Sequence, residues 1–91
     1  MILYRIHIPL FDNDGLSLDK EILKFEESVI EEAGGFTKYK AIGRWKSYVD
    51  EQYVYLVDSF HEIDFSKWKD ILRQEALWVI KTKGEQQHEK Y

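Results

Sequence analysis

Residues 2–10 alternate: Ile2, Tyr4, Ile6, Ile8 and Leu10 share one parity, and Leu3, Arg5, His7 and Pro9 the other. A period of two over an Ile-rich run predicts a half-buried strand. Phe11-Asp12-Asn13-Asp14-Gly15 then supplies turn residues. From there the period lengthens. Leu18, Ile22, Phe25, Val29 and Ala33 recur at three- and four-residue steps, with Leu23 and Ile30 widening the stripe, which predicts an amphipathic helix. Ser17 is placed to cap its start. Gly34-Gly35 is placed to end it, because glycine accepts the left-handed C-terminal conformation.

Residues 36–46 are β-like, with Phe, Thr, Tyr, Ile and Trp among cations, and 47–51 read as a loop. Residues 52–60 read as the next strand. Asp64 caps a second helix in which Phe65, Trp68, Ile71 and Leu72 share a face, ending near 73–75. Residues 76–83 form a last strand, and 85–91 a polar C-terminal tail. The order β-α-β-β-α-β predicts an α+β, ferredoxin-like sandwich: a four-stranded antiparallel sheet with two helices on one face. Its other face is left uncovered, and an aromatic-rich uncovered face is expected to meet a ligand, a partner or a second copy.

Ninety-one residues make a single domain, taken as 1–84, with a thin core. The absence of cysteine excludes disulfides, thiolate metal sites and a cysteine nucleophile. No apolar run is long enough to span a bilayer, and the N-terminus does not resemble a secretory signal, so a cytoplasmic protein is expected. A net charge of −4 argues against a nucleic-acid or membrane partner. The charge is uneven. Residues 19–32 are strongly acidic, whereas 38–46 carry Lys38, Lys40, Arg44 and Lys46 with no acid.

At Gly34-Gly35-Phe36-Thr37, Gly43-Arg44-Trp45 and Gln74-Glu75-Ala76-Leu77-Trp78-Val79 the chain resembles a group of small uncharacterised bacterial and phage proteins. The resemblance implies a ferredoxin-like fold and a homo-oligomer, and supplies no activity.

Lys38, Lys40, Arg44 and Lys46 share one parity, and Arg5 and His7 the polar parity of the first strand. If both sets meet on the uncovered face, they form a cationic surface suited to phosphate, with Trp45 or Tyr55 stacking on a base. The alternative for these cations is a solvated or edge-protecting strand. Tyr4, Tyr53 and Tyr55 suggest a base-stacking platform, but the third strand lacks the Lys/Arg-Gly-aromatic pattern of RNA-recognition domains, which favours core packing. The Gly34-Gly35-Thr37 turn sits at a helix C-terminus, where the dipole repels anions, so capping accounts for it. His7, His61 and His88 have no fixed set of co-ligands, and no metal or cofactor is assigned. Glu51, Glu75 and His7 are the only candidate bases, and no catalytic residue is assigned. The leading expectation is a non-enzymatic, oligomeric binding protein for a nucleotide-type anion, held by Arg5, His7, Lys38, Lys40, Arg44, Trp45 and Tyr55. The alternative is a protein-interaction module or inhibitor, for example phage-encoded and directed at a host protein, working through the acidic helix, Glu26 to Glu32.

Overall fold

The alternation at the N-terminus produces β1 (Ile2–Pro9), which buries Tyr4, Ile6 and Ile8. The computed structural model describes residues 1–83, so the tail assigned to 85–91, with His88, lies outside the described residues. After β1 come α1 (Asp19–Ala33), β2 (Thr37–Trp45), β3 (Tyr48–Ser59), α2 (Ser66–Ile71) and β4 (Trp78–Lys83). The strands form one antiparallel sheet in the order β2-β3-β1-β4. Both helices contribute to one core on one side of the sheet, which is the α+β, ferredoxin-like arrangement.

The core is aromatic. Phe25 of α1 lies edge-on to Tyr55 of β3 at 5.1 Å and to Trp68 of α2 at 5.3 Å. Tyr4 meets Phe65 edge-on at 5.0 Å, a preferred geometry for ring pairs. Leu18, Ile22, Val29 and Leu72 fill the space around them.

Several local expectations are corrected. Leu23 and Ile30 do not widen the buried stripe: they are 57% and 51% exposed on the outer side of α1. Ile71 likewise points away from the core that holds Trp68 and Leu72. The N-cap position of α1 is Leu18, which makes no side-chain cap, while Ser17 Oγ accepts from the Asp19 N–H at 3.2 Å. Gly34 does close the helix, with φ 88° and its N–H donated to the Ile30 carbonyl. Of residues 47–51 only Ser47 lies in a connection, and 48–51 belong to β3. β2 and β3 join through Lys46 and Ser47 alone, with Lys46 at φ 57°. Residues 76 and 77 precede the last strand, which starts at Trp78.

Two features position the candidate site. β1 pairs with β3 only as far as Pro9↔Gln52, so Gly43 to Asp50 project beyond it as a two-stranded ribbon. At the same end, Arg73 ties the loop after β1 to the turn after α2. Its Nε donates to Asp12 Oδ2 at 2.8 Å, its Nη1 to Glu21 Oε1 at 3.0 Å, and its Nη2 to the Ser17 carbonyl at 3.4 Å.

Candidate functional site

Strand register decides which side chains share a face, because directly opposed residues in an antiparallel pair lie on the same side. Ile6 opposes Tyr55, and Tyr55 opposes Lys38; Ile8 opposes Tyr53, and Tyr53 opposes Lys40. Lys38, Lys40 and Arg44 therefore lie on the helix side of the sheet. Arg5 opposes Leu56, and His7 opposes Val54, on the uncovered side. The single cationic surface expected from parity is not formed. Alternation within each strand holds, but the phase between β1 and β2 is set by β3, which pairs with both.

Two of the helix-side cations are also engaged. Glu26 Oε2 accepts from Lys38 Nζ at 2.6 Å and from the Tyr55 hydroxyl at 2.5 Å. Lys38 Nζ sits 4.4 Å from the centre of the Tyr53 ring. Lys40 Nζ lies 3.7 Å from Glu51 Oε1. Arg44 is exposed and donates Nε to the Lys46 carbonyl at 3.3 Å. Tyr55 is fully buried in the core; burial, and then its bond to Glu26, push its hydroxyl above the usual phenol range. It is a structural anchor between α1 and the sheet, so the base-stacking role expected for Tyr55 does not fit its position. Tyr4 is buried too, and Tyr53 partly so, both on the helix side. Trp45 occupies the last position of β2, opposite Tyr48, but its side chain lies outside the described structure.

The uncovered face carries a different constellation. From β1 come Leu3, Arg5 and His7, from β3 Tyr48, Asp50, Gln52, Val54 and Leu56, and from β4 Trp78, Ile80 and Thr82. Tyr39 of β2 opposes Val54. Trp78 is 67% exposed although it opposes His7 directly. At this end of the sheet a cleft of about 520 Å³ opens, walled by His7, Gln52, Tyr48, Asp50, Trp78 and Gln74, a size that suits a small molecule.

His7 is the polar centre of the cleft wall. Its Nδ1 lies 3.3 Å from Gln52 Oε1; donation of that proton leaves Nε2 as an acceptor. His7 Nε2 is buried and has no hydrogen-bond partner among the described residues. Asp12 also borders the cleft, but its carboxylate is taken by Arg73, whose guanidinium, aided by the Leu16 N–H, holds it below the usual carboxylate range. Arg5 is exposed, and no acid lies within ion-pair distance of it among the described residues.

The other candidates do not join this site. Glu51 borders the cleft but is paired with Lys40, and Glu75 is exposed. His61 is exposed in the loop before α2, where its N–H donates to Ser59 Oγ. Among the described residues no group of three or more His, Asp or Glu side chains is arranged to hold a metal ion. No helix among them is long and apolar enough to cross a membrane. Gln52, Tyr48 and Trp78 wall the cleft although the sequence pattern does not single them out. For Trp78 a signal existed: a large ring at the start of a strand that pairs with the polar side of β1. Comparison with protein-family models, curated proteins and solved structures finds no match.

Proposed function

We propose that the chain is a non-enzymatic binding protein for a small anionic molecule of nucleotide type, acting as an oligomer in the cytoplasm. The working surface is the uncovered face, and the site is smaller than the parity argument implied. One observation carries the reading: exposed Trp78 and the His7–Gln52 pair wall one cleft, with Arg5, which has no ion-pair partner among the described residues, two residues away on the same strand face. A planar base stacks on Trp78 beside the His7–Gln52 pair, and the phosphate lies toward Arg5. Lys38, Lys40 and Arg44 lie on the opposite side and do not touch this ligand.

A thermal-shift and calorimetric screen over nucleoside monophosphates and cyclic nucleotides tests this. Trp78→Ala and Arg5→Ala should each weaken binding about tenfold or more, the scale of a lost stacking or charge-assisted contact. Arg44→Ala should leave binding unchanged. No stabilisation by any nucleotide, or equal loss in Arg44→Ala, overturns the assignment.

A second reading, a protein-interaction module, is favoured by α1. Leu23, Glu27, Ile30 and Glu31 lie at helical spacing on its outer face, all exposed, with two apolar side chains among acids. In that reading the helix binds a partner protein. Native mass spectrometry of the purified protein separates the readings, because it reports a retained nucleotide and a retained protein in one spectrum.

A further inference from the structure

Among the described residues β2 has a strand neighbour on one side only: it pairs with β3 and forms an edge of the sheet. Its register runs residue for residue from Thr37↔Leu56 to Trp45↔Tyr48, with no bulge and no proline. Every second residue of β2 therefore turns its N–H and C=O away from the sheet, an open row that can template a further strand. The side chains beside this row do more than repel. Lys40, Ile42 and Arg44 share the helix side, and Ile42, between the two cations, is 69% exposed. Residues 37–46 hold no acid. Lys38 is committed to Glu26 at 2.6 Å. Lys40 meets Glu51 only at 3.7 Å, between two exposed side chains, a contact worth little. Arg44 has no ion-pair partner among the described residues; only its Nε is used, by the Lys46 carbonyl.

A second copy does not fit this edge. Two β2 strands paired about a two-fold axis, with their helices on one side, bring the row Lys38, Lys40, Ile42 and Arg44 against itself. Centred on Ala41, the pairing sets Lys38 against Arg44; centred on Ile42, it sets Lys40 against Arg44; centred on Lys40, it sets that residue against its own copy. Like charges directly opposed destabilise a strand pair, and opposite charges stabilise it. We infer that β2 accepts an extended acidic segment of another protein as a fifth strand, with acids at alternate positions opposite Lys40 and Arg44 and an apolar residue between them opposite Ile42. Backbone hydrogen bonds supply the affinity, and the alternate side chains select the sequence. The guanidinium of Arg44 adds a charge-assisted contact to one carboxylate. β3 and β1 stand between this edge and Trp78 of β4, so the inference does not rest on the nucleotide reading.

The test is fluorescence polarisation of a labelled, end-blocked peptide, Thr-Glu-Thr-Val-Thr-Glu-Thr, with the whole protein. The peptide should bind saturably, and more weakly as salt rises. Its counterpart with Gln for Glu should bind about tenfold more weakly, and the one with Lys for Glu should not bind. N-methylation of alternate residues should abolish binding in one phase and leave it in the other, because only one set of amides faces β2. Arg44→Glu should raise the Kd about tenfold with an unchanged circular dichroism spectrum. Lys40→Glu combined with Arg44→Glu should bind the Lys peptide in place of the Glu peptide. Lys67→Glu makes the same change of charge on α2 and should leave the Kd unchanged. Absence of saturable binding, or equal affinity for the Glu and Gln peptides, overturns the proposal. So does indifference to N-methylation in both phases, or an equal loss in Lys67→Glu, either of which would reduce the contact to attraction of any polyanion.

Discussion

Arg73 takes a left-handed backbone, φ 53°, in the turn after α2, a conformation that a non-glycine residue holds only when its surroundings fix it. Its three acceptors come from chain segments more than fifty residues away, so one side chain closes the end of the fold nearest the cleft. The guanidinium lowers the proton affinity of Asp12. For Glu21 its own backbone N–H lowers it most, and then Arg73. Both carboxyls bind protons more weakly folded than unfolded. The stability they contribute is therefore present above the ordinary carboxylate range and lost as pH falls through their folded values. The Tm of the native chain should drop on acidification below about pH 4. In Arg73→Ala the Tm at neutral pH should already be lower and the acid drop shallower. An unchanged slope in the variant, followed by circular dichroism against pH, would place the acid sensitivity elsewhere.

Among the elements, α1 separates residues that periodicity alone groups together. Phe25 is fully buried against three other rings, whereas Leu23 and Ile30 face outward. Phe25→Ala should destabilise by about 3–5 kcal/mol in urea unfolding, and Leu23→Ala by no more than about 0.5 kcal/mol. Comparable losses would mean that the face of α1 is set differently. The same contrast explains what was legible from residues. Period-two and helical stripes locate β1, α1, β3 and the order of elements, since each pattern reports a local choice between core and solvent. They do not report which neighbour a strand takes or in what phase, because that depends on pairings distant in sequence. So parity groups Lys38 and Arg5 on one surface although β3 puts them on opposite ones. Gln52 and Trp78 become neighbours of His7 only through those pairings.

On the scale of the molecule, one sheet face is covered by helices, and the other, outside the His7 cleft, keeps Tyr39, Leu3, Leu56 and Ile80 at least partly in contact with solvent. A domain this small gains substantially from burying such a face against a copy of itself, and identical chains favour closed symmetry. Equilibrium sedimentation at micromolar concentration should give a dimer or larger closed oligomer, shifted toward monomer by Tyr39→Asp. A monomer up to high concentration would leave the face to a foreign partner. The ribbon from Gly43 to Asp50 has a further consequence, one of time. Two strands without a third neighbour are only marginally stable in water. Backbone amides there will exchange hydrogen through brief local opening, whereas those of Ile6 and Val57 must wait for the whole chain to unfold. The protein thus runs on two clocks, and Tyr48 and Asp50, which wall the cleft, belong to the fast one.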